Sequence, residues 1–209
     1  MIKIATRLFI WLNTFSYKVI SVLVVKENGG IHPKHRILNY HKFFLDNISV
    51  NDSVLDIGCG NGSVAYDLSK KAKRIVAVDI VEKNIKNAKE KFSNENLEYV
   101  LGDATNFEFG EKFNAIVLSN VLEHIENRID FLSKIKVLSP KILIRVPLLN
   151  RDWLSVYKKE TGMEYRLDST HFIEYTEESF KEEIEESGLK IEKYYIKFGE
   201  LYSIIKKYE

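Results

Sequence analysis

Cysteine is nearly absent from this sequence, since Cys59 is the only one among 209 residues. A single thiol excludes an internal disulfide framework and a zinc site built from cysteines, and it fits a reducing compartment. An excess of charge of one sign is also lacking, with 31 Lys and Arg against 30 Asp and Glu, so bulk electrostatics do not favour a nucleic-acid binder. The apolar fraction of 45% excludes a disordered chain, and the length predicts one domain with at most a small extension.

Long uncharged apolar runs are lacking as well, even in residues 1–25, the most apolar part of the chain. Arg7 and Lys18 interrupt it before it reaches the roughly 18 residues that span a bilayer, and a secretory signal is not expected. Two interpretations stay open for this helix: it packs on the domain or covers the active-site mouth, or it lies in a membrane plane with its polar stripe toward the head groups. The break at Asn28-Gly29-Gly30 bounds an N-terminal extension of residues 1–30. The polar stripe consists of Lys3, Arg7, Thr14, Lys18 and Ser21.

Strand-like and helix-like segments alternate beyond residue 50. This alternation indicates a parallel sheet that helices cover on both faces, within a domain of residues 31–209. Apolar and β-branched runs predict strands at 53–57, 74–80, 97–101, 113–119 and 141–146, and helical patterns occur at 64–71, 82–92 and 125–138.

The final part of the chain has a different pattern. Residues 177–187 predict a charged helix that ends at Gly188. Two strand-like runs, 189–198 and 201–207, follow with only Gly199-Glu200 between them, so they predict a hairpin and an antiparallel strand. The segment 147–176 has little periodicity, as is common in functional caps.

A glycine loop and three acids follow the predicted strands. Gly58 and Gly60 allow a tight turn and the close approach of a ligand, and Asp79, which ends the second strand, can accept from both hydroxyls of a ribose. Nicotinamide-binding domains share these two features. Asp56, directly before the glycines, would repel a pyrophosphate and suits a cationic ligand. Asp103, after the third strand, offers an acceptor for the amine of a base.

In combination, these segments resemble the motifs of class I S-adenosylmethionine-dependent methyltransferases. The resemblance covers roughly residues 31–207. It implies an α/β fold with a Rossmann-like, seven-stranded sheet of order 3-2-1-4-5-7-6, strand 7 antiparallel, behind an N-terminal helical extension. It also implies S-adenosylmethionine as cofactor and S-adenosylhomocysteine as product. The matching segments are VLDIGCGNG at 54–62, VAVDI at 76–80, GDA at 102–104 and NAIVLSNVLEHI at 114–125.

The resemblance further implies which residues hold the cofactor. Gly58 and Gly60 would carry the methionine part along their backbone, and Asp56 would face its ammonium group. Asp79 would hold the ribose, and Asp103 would accept from the adenine amine. Capping of the following helix is the alternative interpretation for these last two acids. The remaining positions are Ile80 against the adenine, Ala104 with its amide near the amine, and Asn120 at the methionine end.

Methyl transfer from a sulfonium depends mainly on positioning, and a hydroxyl acceptor adds the need for a general base. His124 and His171 are the first catalytic candidates, with the carboxylates Glu123 and Asp168 beside them. Asp168 is expected to orient the ring of His171. The other interpretation is that both histidines order their loops. RNA-terminus methyltransferases of the Hen1 type have a Glu-x-x-Glu-His metal site here; this chain has Asn120 at the first Glu, so no metal site is expected.

Cationic and aromatic residues outside the motifs are candidates for acceptor binding. His35, Arg36 and Tyr40 lie just before the core, where segments of similar proteins often reach over the cofactor, and a solvated basic turn is the alternative. Arg151 opens the irregular segment, whose aromatic and cationic groups suit sugars, phenols or anionic head groups. The run before the core also resembles those of methyltransferases of polysaccharide or glycolipid biosynthesis.

The sequence therefore predicts transfer of a methyl group from S-adenosylmethionine to a small-molecule, glycan or lipid-linked acceptor, at a hydroxyl. The expected location is cytoplasmic and peripheral to the inner membrane face, with membrane contact through residues 1–25 and no nucleic-acid partner. Two alternatives stay open: an NAD-dependent oxidoreductase on a similar sheet, which Asp56 and the hairpin disfavour, and a non-catalytic protein that retains the cofactor pocket.

Overall fold

The fold is described from a computed structural model that covers residues 1–106 and 109–208. Contacts group Met1–Tyr40 as one unit and the residues from His41 onward as a second. The strands are β1 (Ser53–Ile57), β2 (Arg74–Asp79), β3 (Leu97–Leu101), β4 (Ala115–Ser119), β5 (Lys141–Pro147), β6 (Leu189–Lys197) and β7 (Glu200–Lys207). The helices are α1 (Ile2–Glu27), α2 (Lys34–Leu38), α3 (Tyr40–Asp46), α4 (Ser63–Ser69), α5 (Glu82–Lys91), α6 (Arg128–Ile135), α7 (Trp153–Glu160) and α8 (Glu177–Glu186).

The first unit is dominated by α1, a single helix of 26 residues. At about 1.5 Å per residue it is about 39 Å long. An 18-residue window of α1 has a mean hydropathy of 1.7, so by length and composition it could cross a membrane. Gly29 and Gly30, with φ of 64° and 89°, take the left-handed backbone that ends the helix where the sequence predicts a break. His32 then places Nε2 3.1 Å from the Ser21 hydroxyl and joins the turn to the helix.

The second unit contains a seven-stranded sheet of order β3-β2-β1-β4-β5-β7-β6. β1 to β5 run parallel, and β7 pairs antiparallel with both β5 and β6. The predicted strand order and the terminal hairpin are therefore confirmed. The central strands are buried along nearly their whole length, as their continuous apolar sequences require of strands covered on both faces.

The reversal of strand order places the site. From β1 the chain moves outward to β2 and β3, and then crosses back to β4 on the other side of β1. Loops at the carboxyl ends of β1 and β4 therefore diverge and leave a crevice, which is where open α/β sheets bind ligands. The motif loops after β1, β2, β3 and β4 all open at this edge.

The segment 147–176 is more regular than the sequence indicates. A 3₁₀ turn at Leu149–Arg151 leads into α7, where the Asp152 carboxylate accepts from the Ser155 amide 2.7 Å away. Ser155 is the one buried residue of α7, so no apolar stripe marks this helix in the sequence. The helix expected at 125–138 is also shorter, because a 3₁₀ turn at Leu122–His124 comes before α6.

Candidate active site

A cavity of about 1060 Å³ opens at the carboxyl edge of the sheet. It is large enough for a nucleoside cofactor together with a small acceptor. Six of the eight residues predicted to hold the cofactor line it, and Asp56 and Gly60 are not among its lining residues. The six are Gly58, Asp79, Ile80, Asp103, Ala104 and Asn120.

The glycine loop follows β1 and is tied to β2 by its backbone. The Gly58 amide donates to the Val78 carbonyl at 2.8 Å, and the Gly60 amide donates to the Asp79 carboxylate at 2.8 Å. Gly58 has φ of 68°, and an added Cβ would lie 2.6 Å from Cγ2 of Val121. A side chain at this position would therefore clash with the loop after β4, and only glycine allows the two loops to approach this closely.

Asp56 is the most unusual acid of the site. Its side chain is 1% exposed, and its Oδ2 accepts no hydrogen bond from any residue that the structure describes. Burial, with the negative charge of Asp79 as a second cause, raises the pKa of Asp56 to about 8. A buried, unpartnered carboxyl group at the head of the loop fits a cationic ligand group, such as the ammonium of S-adenosylmethionine.

Asp79 and Asp103 both bind their own loops. Asp79 Oδ1 accepts from the Val81 amide at 2.8 Å and from the Asn84 amide group at 3.1 Å. Asp103 accepts from the Thr105 backbone at 3.0 Å and from the Thr105 hydroxyl at 2.7 Å, and these bonds lower its pKa. These bonds order the two loops, while α5 begins after Val81 without a side-chain cap. Each carboxylate can accept about four bonds, so each retains capacity for a ligand in the cavity.

The remaining cofactor positions differ in how firmly they are held. Ile80 is 65% exposed above the cavity, as expected for an apolar side chain that packs on a planar ligand. Asn120 has φ of 57°, and its amide donates to the Arg145 carbonyl at 2.8 Å. Its buried Oδ1 accepts no bond within the described part of the chain. A ligand donor at the methionine end would satisfy that oxygen.

His124 and His171 lie together at one side of the cavity, with ring centroids 4.5 Å apart and the rings nearly perpendicular. His124 lines the cavity, whereas His171 is 5% exposed behind it. Nδ1 of His124 lies 2.9 Å from the Thr170 hydroxyl, which in turn lies 2.9 Å from Asp168 Oδ1. Thr170 has one hydroxyl hydrogen, and the carboxylate accepts it, so His124 donates from Nδ1. The lone pair of the neutral ring is then on Nε2.

His171 is oriented by Glu174 and not by Asp168, which corrects the expectation from the sequence. Nδ1 of His171 lies 2.9 Å from Glu174 Oε1, while Asp168 binds Thr170. The reason is the turn of the loop, which brings the acid three residues after His171 onto its ring. Glu174 stands in the segment that the sequence singled out, but spacing alone could not choose between two acids at equal distance along the chain.

Arg151 holds the cap segment together. Its guanidinium donates to Glu174 Oε2 at 2.7 Å, to the Leu148 carbonyl at 3.1 Å and to the Tyr165 carbonyl at 2.8 Å. The sequence predicts that Arg151 binds the acceptor. It would have to do so with a guanidinium group that already donates these three hydrogen bonds. The other three acceptor candidates lie in the first unit. Nδ1 of His35 lies 2.6 Å from the hydroxyl oxygen of Tyr40, and Arg36 is exposed.

Glu123 is a third acid of the histidine pair. Its side chain is fully buried, neither oxygen has a partner among the described residues, and burial raises its pKa to about 7. One ligand atom from each of Glu123, His124 and His171 lies within 4.8 Å of the others, so the three could hold a metal ion. The expectation of no metal, which rests on Asn120, stays a prediction.

The chain resembles known proteins in sequence. The sequence profile of a family described as "Methyltransferase domain" matches residues 32–194. The mitochondrial ubiquinone biosynthesis O-methyltransferase of Dictyostelium discoideum is 32% identical over 170 residues, which cover 66% of this chain and 52% of that protein. The chain thus spans about half the length of the curated relatives it matches, and for the ubiquinone biosynthesis O-methyltransferase of Rickettsia bellii the share is 42%.

Solved structures show the same fold at low sequence identity. A complex of the Haloferax volcanii Trm112 methyltransferase activator with a methyltransferase contains a chain that matches with a TM-score of 0.71 and 14% identity, over 88% of this chain and 95% of that one. Magnesium protoporphyrin IX methyltransferase from Synechocystis PCC 6803, with bound SAH, matches with a TM-score of 0.65 and 17% identity, over 84% of each chain.

Proposed function

Because this chain belongs to the class I S-adenosylmethionine-dependent methyltransferases, we propose that it methylates a hydroxyl oxygen of a small acceptor. S-adenosylmethionine is its methyl donor, and methyl transfer is its activity. The family and the fold decide against the oxidoreductase alternative, and the family decides against a non-catalytic role. The proposal concerns the acceptor and the residues that act on it.

The cofactor, when bound, supplies a methyl group that is already activated on a sulfonium. The glycine loop and the acids of the cavity would hold and orient it. Asp56 would lose its proton and become ionised opposite the ammonium group, and Asn120 would offer an oxygen at the methionine end. What the protein must add for a hydroxyl acceptor is placement in line with the methyl group and removal of the hydroxyl proton.

The observation that carries the proposal is the bonded chain from Asp168 through Thr170 to His124 at the cavity wall. It fixes the His124 ring and leaves Nε2 free to take a proton from an acceptor hydroxyl. Burial lowers the pKa of His124, with the nearby His171 ring as a second cause, so the ring is neutral at physiological pH, as a base must be. His171, held by Glu174, acts as a positioning residue behind it.

The acceptor class rests on the exposed aromatic residues of α7. Trp153 is 76% exposed on α7 and lies beside Tyr157, with ring centroids 6.3 Å apart. Exposed aromatic rings beside a lysine-rich helix end suit the flat apolar faces of sugars or an isoprenoid-type chain with an anionic group. A relative named for O-methylation supports oxygen as the atom. We therefore favour a saccharide-linked or lipid-linked hydroxyl.

The first experiment is a transfer assay with methyl-labelled S-adenosylmethionine against panels of hydroxylated sugars, phenols and lipid-linked glycans, with amines and thiols as comparison panels. We expect turnover on at least one panel and loss of about 10²-fold or more in His124→Asn, with cofactor affinity within twofold of the native chain. His41→Gln is the matched control, because that histidine binds Asp67 outside the cavity. Transfer only to amines or thiols, or full activity in His124→Asn, would overturn the proposal.

A further inference from the structure

An unusually large apolar surface covers one side of α1. The helix has no buried residue, and three of its aromatic side chains are among the more exposed of the described residues: Phe9 at 68%, Trp11 at 61% and Phe15 at 55%. Leu8, Ile20, Val22 and Leu23 are each more than half exposed. A contiguous surface of this kind marks a contact with another body, because soluble proteins rarely leave one in water.

Three of the cations of α1 keep to one side of the helix. At about 100° per residue, Lys3, Arg7 and Lys18 fall within about 60° of one another. Trp11 and Phe15 border this stripe, and Phe9 lies on the opposite side of the helix. Thr14 and Ser21 lie on the same side as the cations and are partly covered. Ser21 is bonded to His32, so the turn after α1 returns along the polar side. The apolar side is the side left open.

The shape and charge of α1 fit a lipid surface better than another protein helix. An apolar face that covers more than half the circumference exceeds the narrow seam of a coiled coil, which uses two positions in seven. The helix carries four cations, Lys3, Arg7, Lys18 and Lys26, and one anion, Glu27. This excess of positive charge complements the phosphates of anionic lipids. Trp11 and Phe15, stacked with centroids 5.7 Å apart, provide the aromatic surface that favours the membrane interface.

Lys18 decides between the two ways in which α1 could enter a bilayer. It lies well inside the apolar part of the helix, so a spanning arrangement would place its ammonium group near the bilayer centre, where a lysine is strongly disfavoured. An in-plane arrangement keeps Lys18 with the head groups while the opposite side chains enter the lipid. We propose that α1 lies in the plane of an anionic membrane surface, with its apolar side in the lipid and its basic stripe at the phosphates.

The proposal is independent of the acceptor and is tested by flotation of the full chain with sealed vesicles. One set of vesicles is phosphatidylcholine alone, and the other contains about a third phosphatidylglycerol. We expect flotation with the anionic vesicles, weaker flotation with the neutral ones, and at least a tenfold lower partition coefficient for Phe9→Ser/Phe15→Ser. Lys3→Gln/Arg7→Gln should lose the preference for anionic lipid. Phe198→Ser, at an exposed residue of the β6–β7 turn, is the matched control.

Equal cofactor affinity in all variants shows that each of them is folded. Absence of flotation, or equal flotation of the Phe9→Ser/Phe15→Ser chain, would overturn the proposal. A tag placed before Met1 distinguishes the two arrangements. We expect protease added outside the vesicles to remove it, whereas protection of the tag would show that α1 spans the bilayer. Concentration-dependent dimerisation that the same variant abolishes, without lipid binding, would assign the surface to a second copy of the chain instead.

Discussion

Replacing Asp56 by asparagine should change the pH dependence of stability more than any other substitution at the site. In the folded chain, burial and the charge of Asp79 raise the pKa of Asp56 to about 8, from an ordinary value of 3.8. Between these two values the unfolded chain carries ionised Asp56 while the folded chain keeps its proton. The free energy of unfolding therefore falls by about 1.4 kcal/mol per pH unit as the pH rises, and by roughly 5 kcal/mol over the window.

Asparagine is nearly isosteric and does not titrate, so Asp56→Asn should remove this slope. Urea unfolding from pH 5 to pH 9 measures it directly. We expect the variant's advantage in stability over the native chain to be smallest at pH 5 and to widen by roughly 4 kcal/mol between pH 5 and pH 8. The contribution is lost as the pH rises through the window, because the folded chain holds the extra proton only below a pH of about 8.

The same carboxyl group links cofactor binding to proton release. A cationic ammonium group opposite Asp56 favours the ionised form, so binding at pH 7 should release close to one proton from the native chain and none from this site in Asp56→Asn. Calorimetric titration of S-adenosylmethionine in two buffers of different ionisation enthalpy counts the protons. Parallel stability profiles for the two chains, together with equal proton release, would refute this account of Asp56.

Three further predictions follow from the geometry. Glu174→Gln removes one partner of the buried pair with Arg151 and weakens the hold on His171, so the free energy of unfolding should fall by about 3 kcal/mol; a change below 1 kcal/mol in urea unfolding would contradict this. Gly58→Ala should lower stability and cofactor affinity far more than Gly110→Ala. Both glycines have positive φ, but only at position 58 would the added Cβ lie against Val121. Equal effects of the two substitutions would show that backbone strain dominates. Since no metal is expected, a chelator should leave turnover unchanged, and loss of turnover that one divalent cation restores would assign the ion to the Glu123 cluster.

The sheet could be predicted from the sequence because its signals are local. Apolar runs mark β1 to β5, and the two-residue gap at Gly199-Glu200 forces β6 and β7 into a hairpin. The family motifs then supply the strand order, and they place six of the eight cofactor residues around the cavity. Side-chain pairing across the loops was not predictable in the same way. Whether Asp168 or Glu174 meets His171 depends on how the chain turns between them.

The predictions fail where packing, and not pattern, decides the structure. α7 is not predictable from the sequence, because it buries a single residue, Ser155, and therefore has no apolar periodicity. The buried state of Glu123 was also invisible, since an acid beside a histidine in a motif gives no sign of its exposure. The exposed side of α1 is the opposite case, because its apolar and polar stripes were legible from spacing alone.

The hydrogen bonds of Glu174 bear on which parts of this enzyme can change in sequence. Glu174 receives Arg151, the Leu167 amide and His171, and so it fastens the beginning and the end of the cap segment at one point. The residues between these contacts include α7, which buries only Ser155 and so contributes little to the core. Substitutions or insertions there should leave the donor pocket and the histidine pair in place. The segment 147–176 can therefore vary in sequence and length as long as the contacts of Glu174 are kept.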